Sequence, residues 1–421
     1  MRTIGLAVLV VVAAACSSNP TGSTGPRTVT SLALSGLGGS ITVGVPAAVT
    51  ISAKDASGQT VTGYNGTVTF TSTDVAAVLP ANYAFLGADV GSHRFGVTFE
   101  NAGMQTLTAA DVTTSSIRGS AMVNVTPTVF VANQTNFTIT GYAAGTNGNA
   151  APVLAIVGLN TNLDIPLGIA RDATGRIYVV NHGTNSILVY APGDTGNATP
   201  VSTIMGANTG LDLPWGCALD GAGRLYVVNY DPNTRANSIT VYAAGATGNA
   251  TPTATITGSN ARLQVAEGIA LDAAGRLYVT NTLNTGFSSY NAIMVYSAGA
   301  TGNAAPVDSI VGDKTGLSTP VAIALDAAGR IYVANYWNST VTVYAAGASG
   351  NVAPIDSIGG SNTGLYLPDG IAVDPVGHLV YVANPNGSIT VYAPGATGNA
   401  APVDTIVGSN TGLYVPSYIT F

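Results

Sequence analysis

Six positions at one point of a repeated segment carry side chains whose chemistry differs from one repeat to the next. Two are the carboxylic acids Glu267 and Asp369, and a third is Trp215. Carboxyl groups accept hydrogen bonds and serve as general acids or bases, and tryptophan is over-represented among residues that dominate binding energy. The six positions are Leu167, Trp215, Glu267, Val321, Asp369 and Ser417.

A second variable group lies in the loop that follows the next strand of each repeat. This loop is longer by four residues in the third unit and by six in the fourth. Insertions on one face of a repeat protein often mark its binding face; drift in exposed loops is the alternative. The loops offer His182, Tyr230, Asp231, Arg235, Tyr290, Tyr336 and Trp337. We predict ligand binding through Trp215, Glu267, Asp369, His182, Tyr230, Arg235, Tyr336 and Trp337.

Catalytic and metal-binding motifs are not found in the sequence. Of the three histidines, only His182 belongs to these groups, and with Glu267 and Asp369 it falls short of a metal triad. There is no G-x-S-x-G elbow and no P-loop. Cys217 sits in an apolar strand without an adjacent histidine, which favours a buried small hydrophobe over a nucleophile. We therefore predict no catalytic residue, no metal and no cofactor.

The repeat that carries these positions runs from residue 129 to residue 421. Its period is set by a tyrosine at the end of the third segment, with spacings of 48, 52, 54, 48 and 48 residues. Each unit reads as four short strands, for example residues 321–325, 331–335, 340–344 and 353–358, separated by Gly, Asn, Asp and Pro. Four antiparallel strands per repeat, arranged radially, make a β-propeller. The tyrosines are Tyr142, Tyr190, Tyr242, Tyr296, Tyr344 and Tyr392.

The two ends of the repeat region are complementary. It opens at residues 129–133, already in a second strand, and it stops at residues 417–421, which form only a first strand. One blade is therefore built from both ends, which closes the ring and removes exposed sheet edges. The second strand occurs six times, so we predict an all-β protein with a six-bladed propeller closed by its C-terminal strand.

Positions kept in most units are assigned to the scaffold. The D-x-x-G segments predict tight hairpins in which the aspartate caps its own turn. We expect the arginine after the glycine to cover the neighbouring blade, and the asparagine after the second strand to satisfy backbone groups. The arginines are Arg176, Arg224, Arg276 and Arg330; the asparagines include Asn181, Asn229, Asn281, Asn335 and Asn384.

The pattern P-x-G-I-A-x-D-x-x-G-R-[IL]-Y-V-x-N, seen as LPDGIAVDPVGHLVYVAN at residues 367–384, resembles the NHL repeat. It departs from that family in carrying the asparagines where NHL repeats commonly have aspartate. The resemblance covers about 290 residues and implies the propeller fold. It leaves function open, because such propellers serve as binding platforms and also as lyases and lactonases.

The N-terminal part differs in kind. Residues 1–16 have a positive start at Arg2, an apolar core and small residues before Cys16, and resemble a bacterial lipoprotein signal with Cys16 as the lipidated residue. Residues 17–26 read as a flexible tether. Residues 27–127 show about seven alternating strands, as in residues 40–55, and resemble bacterial Ig-like modules. A spacer is the favoured role of this sandwich, with adhesion as the alternative.

Composition narrows the choice of partners. Only 8% of residues are charged, the net charge is −7, and the two lysines, Lys54 and Lys314, are far apart in sequence. Nucleic acid is excluded because phosphate neutralisation needs clustered basic residues. We predict an exported surface protein, lipid-anchored to the bacterial envelope at the outer membrane or cell surface. Its propeller would bind an extracellular or periplasmic protein, peptide or glycan without catalysis. The alternatives are a channel-mouth lyase or lactonase, resembling streptogramin lyases, and a purely structural envelope protein.

Overall fold

The computed structural model describes residues 27–230, 237–284 and 289–421 of the 421-residue chain. Up to Thr126 it contains eight strands in two sheets, with the orders β1-β3-β6 and β2-β8-β7-β4-β5. The strands are β1 Ser31–Ser35, β2 Ser40–Thr42, β3 Ala47–Lys54, β4 Thr67–Ser72, β5 Tyr83–Ala84, β6 Ser92–Val97, β7 Gly103–Asp111 and β8 Arg118–Thr126.

Alternating burial packs these two sheets against each other. In β3 the side chains of Val49, Ile51 and Ala53 are buried and belong to one core with Leu107 and residues of the other sheet. The predicted segment 40–55 contains two strands, β2 and β3. The break between them follows from the turn at Gly44, whose φ of 76° is left-handed.

Residues from Thr128 onward form six four-stranded antiparallel sheets in the described ranges. Sheet 1 contains β9 Thr128–Asn133, β10 Thr138–Ala143, β11 Leu154–Ile156 and the last strand, β32 Pro416–Thr420. Sheet 2 contains β12 Pro166–Arg171, β13 Ile177–Asn181, β14 Ser186–Tyr190 and β15 Ser202–Ile204; sheet 3 contains β16 Pro214–Leu219, β17 Leu225–Asn229, β18 Ser238–Tyr242 and β19 Ala254–Thr257. Sheet 4 contains β20 Val265–Leu271, β21 Leu277–Asn284, β22 Ser289–Tyr296 and β23 Asp308–Val311. Sheet 5 contains β24 Pro320–Leu325, β25 Ile331–Asn335, β26 Thr340–Tyr344 and β27 Asp356–Ile358; sheet 6 contains β28 Gly370–Val373, β29 Val380–Asn384, β30 Ser388–Tyr392 and β31 Asp404–Val407.

Helix is confined to single turns in the part of the chain that is described. These 3₁₀ turns are Gly87–Asp89, Leu159–Thr161, His182–Thr184 and Ser259–Ala261. Within the same residues, none of the helical segments has the length and apolarity needed to cross a bilayer.

The ring of sheets is closed by the two ends of the repeat region. Strand β32 pairs antiparallel with β9, with Ile419 opposite Val131 and Thr420 opposite Phe130. The first strands of successive sheets contact one another in cyclic order, and β32 contacts both β12 and β28. This is the radial arrangement of a β-propeller, as the repeat predicted, with the first strands around the central axis.

The D-x-x-G hairpins form by the predicted turn chemistry. Asp172 Oδ1 accepts the backbone N–H groups of Thr174 and Arg176 at 2.9 and 3.0 Å, and Gly175 has a φ of 87°. The arginines after the glycine, expected to cover the neighbouring blade, also make a contact that was not expected. The Arg176 guanidinium pairs with Asp172 of its own hairpin at 2.8 Å and lies 5.9 Å from the ring centroid of Tyr178. Sheets 3, 4 and 5 repeat the same pairing.

The conserved amide and phenol of each sheet fix the segment that leads into its first strand. Asn181 Oδ1 accepts the N–H of Asp164 at 2.6 Å, and the Tyr190 hydroxyl donates to the carbonyl of Thr161 at 2.5 Å. In the closing sheet the same bonds cross between the ends of the repeat region, from Tyr414 N–H to Asn133 and from Tyr142 to Thr411. The predicted role of the asparagines in satisfying backbone groups is confirmed. These bonds fix the segment that precedes each first strand.

The N-terminal sandwich contacts sheets 1 and 2 on the side of the D-x-x-G hairpins. Arg171 Nη2 donates to the Glu100 carboxylate and to the Glu100 carbonyl, both at 2.7 Å. Thr128 Oγ1 donates to the Val43 carbonyl at 2.6 Å. The opposite side of the propeller carries the variable residues predicted to bind a ligand.

Candidate functional site

Five of the six variable positions lie in a backbone irregularity at the start of a first strand, and the sixth, Asp369, directly precedes β28. In sheet 3, Pro214 pairs with Asn229, and the register then shifts before Cys217 pairs with Val227. Sheets 1, 2, 4 and 5 show the same shift. Extra residues in such a bulge are turned out of the ladder, and bulges often re-aim side chains beside a site. We call Leu167, Trp215, Glu267, Val321, Asp369 and Ser417 the mouth ring.

Close approach between neighbouring first strands joins these positions into a ring. Each mouth-ring residue is followed by glycine in sheets 2, 3, 4 and 6. A Cβ on Gly216 would overlap the carbonyl of Glu267, and one on Gly370 would overlap the carbonyl of Ser417. Only a residue without a side chain lets the next strand come so near. The glycine of the repeat therefore sets the narrow spacing around the axis.

Backbone strain accompanies this geometry. Five units have a proline directly before the mouth-ring residue. In each of them the residue before that proline has a left-handed backbone, with φ between 42° and 50°. Bulky residues rarely adopt this conformation, and a following proline restricts it further. Side chains of the preceding sheet hold some of these segments, as when Asn185 Oδ1 accepts the Leu213 N–H at 2.8 Å. The strained residues are Ile165, Leu213, Thr319, Leu367 and Val415.

Glu267 and Asp369 are the two acids of the mouth ring. Each side chain is partly exposed, and within the described residues neither carboxyl group makes a hydrogen bond or ion pair. Burial raises the pKa of Glu267 to about 8, and the charge of Asp369 adds to this effect. Burial also raises the pKa of Asp369 to about 7. Near pH 7 the mouth therefore holds protons that free carboxylic acids would have lost.

His182 and Trp215 are also brought together. Their rings meet edge to face with centroids 5.5 Å apart. His182 Nδ1 lies 3.1 Å from the carbonyl oxygen of Pro214, an acceptor only, so this ring nitrogen is the donor. The indole Nε1 of Trp215 is buried and has no hydrogen-bond partner in the described residues. A buried donor without a partner is costly and marks a place where a ligand or water can bind.

The other three members of the mouth ring have structural roles. Ser417 is fully buried, and its hydroxyl lies 3.3 Å from the Ala132 carbonyl and 3.4 Å from the Pro166 carbonyl. It thus joins the closing strand to β9 of its own sheet and to β12 of sheet 2. Leu167 and Val321 are buried apolar side chains.

The predicted loop residues are not gathered into one cluster. Tyr336 packs partly buried against the core of sheets 5 and 6, whereas the Trp337 side chain is 75% exposed. Tyr230 is half-buried at the end of β17. Arg235 and Asp231 lie outside the described residues. Ring contacts and hydrogen bonds of the described chain connect only His182, among these loop residues, with the mouth ring.

Tyr418 is a site residue that the sequence reasoning missed. It stands in sheet 1 where most other units have glycine, and its hydroxyl donates to the Val321 carbonyl of sheet 5 at 3.1 Å. Burial, with the negative charges of Glu267 and Asp369, raises the pKa of Tyr418 well above its ordinary value. Its phenol therefore lies within electrostatic reach of both acids. The signal was present in the sequence as a tyrosine at the glycine position of the P-x-G-I pattern.

The described residues contain no cluster that could hold a metal ion, and comparison with known proteins assigns the chain to no family. In the described ranges, no group of three or more His, Cys, Asp or Glu side chains is placed to hold a metal ion. No family model matches the chain, and no curated protein matches it either.

Two solved structures illustrate what the chain is similar to. One is a protein of unknown function from Bacteroides caccae, with 10% identity and a TM-score of 0.49, covering 69% of this chain and 97% of that one. The other is the WD40 β-propeller domain of Doa1, with 10% identity and a TM-score of 0.41, covering 66% of this chain and 79% of that one.

Proposed function

We propose that this chain is an exported, lipid-anchored binding protein of the bacterial envelope. In this proposal Cys16 carries the lipid, residues 17–26 form the tether, and an Ig-like sandwich spaces the ligand-binding module from the membrane. That module is a six-bladed, NHL-like propeller. The signal-like start of the sequence and the alternating strands before residue 127 support this assignment.

Unsatisfied polar groups at the mouth ring support ligand binding there. Glu267 and Asp369 are acceptors without a donor in the described residues, and Trp215 Nε1 is a buried donor without an acceptor. A partner that inserts an ammonium group would satisfy the two acids and release their protons. The fitting ligand is an extracellular or periplasmic peptide or protein with an exposed lysine or N-terminal amine, or a glycan with an amino sugar.

The test is a titration followed by tryptophan fluorescence. Poly-lysine peptides and amino-sugar oligosaccharides are the probes, and acetylated versions of each are the matched controls. We expect saturable quenching that the acetylated probes do not produce. Glu267→Gln and Trp215→Ala are each expected to weaken binding by about tenfold or more, because the lost contacts are desolvated. Binding that persists in both variants would place the ligand elsewhere.

Trp337→Ala separates the mouth ring from the outer loops. Trp337 is exposed and lies in the turn between β25 and β26. If the ligand is confined to the mouth ring, this variant binds it with unchanged affinity. If the ligand extends over the loops, both tryptophan variants bind it more weakly. A protein with no ligand response in either tryptophan would fit the structural envelope role instead.

Catalysis is the second candidate, and one observation favours it. The pKa of Glu267 and that of Asp369 both lie near neutrality, where a carboxyl group can act as general acid or base. A channel-mouth lyase or lactonase would then turn over a lactone or a cyclic peptide ester. Turnover by the wild type and its loss in Glu267→Gln would establish this reading over binding alone.

A further inference from the structure

The central channel is interrupted beneath the mouth ring. Tyr418 reaches from sheet 1 to the Val321 carbonyl of sheet 5, two sheets away around the ring. Its side chain packs against apolar clusters on both sides of the closing sheet. Glycine occupies the equivalent position in four other units and leaves no side chain there. The phenol ring therefore separates the mouth from the rest of the channel.

A cavity of about 370 Å³ lies on the other side of Tyr418. It is bounded by the later halves of the six first strands, toward the D-x-x-G hairpins, and none of Trp215, Glu267 and Asp369 lines it. This volume is within the range of small-molecule sites. Its lining side chains are mostly apolar and include Ile169, Cys217, Ile269, Ile323, Ile371 and Phe421, while polar groups supply slightly more than half of its exposed wall.

Arg171 is the one charged residue in this lining. It takes a position filled by leucine in sheets 3, 4 and 5, at Leu219, Leu271 and Leu325. Its side chain is 9% exposed, and its Nε is buried without a hydrogen-bond partner in the described residues. A buried guanidinium with an unpaired N–H is costly unless an anion joins it.

Glu100 satisfies only part of this cation. Its Oε2 accepts from Arg171 Nη2 at 2.7 Å, while its Oε1 is buried without a partner in the described residues. Burial raises the pKa of Glu100 to about 7 although Arg171 opposes this, so near neutral pH a fraction of the molecules carry a neutral Glu100. In those molecules the Arg171 guanidinium lacks a full counter-charge, and it borders a cavity whose lining side chains are mostly apolar.

We propose that this cavity is a second binding site, distinct from the mouth ring, for a small carboxylate with an apolar body. The apolar body would occupy the space below Tyr418, and the carboxylate would accept the free Nε–H of Arg171. Arginine suits this role because it stays charged and presents planar N–H groups to a carboxylate.

Calorimetric titration with decanoate, with 1-decanol as the uncharged probe of equal chain length, tests the proposal in detergent-free buffer. We expect saturable binding of decanoate by the wild type, and binding of decanol at least tenfold weaker. Arg171→Leu restores the residue of sheets 3 to 5 and is expected to weaken decanoate at least tenfold, to the level of decanol. Arg171→Lys keeps the charge without the planar N–H pair and is expected to bind with intermediate affinity.

Glu267→Gln separates this site from the function proposed for the mouth ring. It should leave decanoate binding unchanged, whether or not it affects the amine probes. Equal affinity of the wild type for decanoate and decanol would overturn the proposal without any variant. So would undiminished decanoate binding by a folded Arg171→Leu protein, or no saturable binding by the wild type.

Discussion

Replacing Glu267 by Gln and Asp369 by Asn is expected to flatten the pH dependence of propeller stability between pH 5 and pH 8. Both folded-state pKa values are raised, to about 8 and about 7, from the ordinary values of 4.5 and 3.8. In this range the folded state keeps protons that the unfolded state has lost. The contribution of these two acids to the free energy of unfolding is therefore fully present below about pH 4. It is lost as pH rises through the folded-state pKa values.

The magnitude follows from proton linkage. Each proton held only by the folded state makes the free energy of unfolding fall by about 1.4 kcal/mol per pH unit. Two such protons over two to three pH units set an upper limit of about 7 kcal/mol. Both side chains are partly exposed to the channel, and solvent there screens the effect, so we expect a loss of about 2 to 4 kcal/mol in the wild type.

Other titrating groups change the stability in different pH ranges, with the exception of Glu100. The hairpin aspartates have lowered pKa values, so their contribution is lost only as pH falls below about 4. The buried third-strand tyrosines have raised pKa values, which places their effect above about pH 10. Glu100, with a pKa raised to about 7, acts in the same direction as the two mouth acids. Glu100→Gln is therefore the matched control for a buried acid outside the mouth.

Urea unfolding followed by tryptophan fluorescence provides the assay, at pH 5, 6, 7 and 8 and constant ionic strength. The two tryptophans of the chain, Trp215 and Trp337, both lie in the propeller, so the signal reports this part alone. We expect the wild-type midpoint to fall with pH and the double variant to change least. A double variant with the wild-type slope, or a wild type that gains stability toward pH 8, would refute the reasoning.

Three further predictions concern closure, packing and anchoring. Deleting residues 417–421 removes most of β32 and is expected to lower the urea midpoint and cause aggregation through two exposed sheet edges; an unchanged midpoint would contradict the closure. Gly370→Ala places a Cβ against the next strand and is expected to cost about 1–3 kcal/mol by urea unfolding. Gly221→Ala, in the sheet 3 hairpin, meets no atom within 4 Å and is its control, and equal effects of the two would argue against the close approach. Cys16→Ser is expected to move the protein from the membrane to the soluble exported fraction in cell fractionation; retention in the membrane would show that no lipid anchors it through Cys16.

Much of the propeller could be predicted because its determinants are local and repeated. Aspartate and glycine at fixed positions specify each hairpin, as Asp172 and Gly175 show, and the asparagine and tyrosine bonds recur from sheet to sheet. The incomplete first and last units indicated that β9 and β32 would pair. The pairing of Arg176 with Asp172 of its own hairpin was not predicted, because the sequence does not show which of several nearby acceptors a long side chain selects.

For the candidate site, the sequence identified Trp215, Glu267 and Asp369 as variable positions in one frame, and the ring geometry follows from the glycine after them. Only the tertiary structure decided what surrounds these groups. The raised pKa of Glu267 depends first on burial around the channel and then on the charge of Asp369, 102 positions later. Tyr418 acquires its role from a carbonyl in sheet 5, and Arg171 from Glu100 in the sandwich. Desolvation and ion pairing depend on residues that are close in space but far apart in sequence. Turns and strand periodicity are determined by residues within a short segment of the chain.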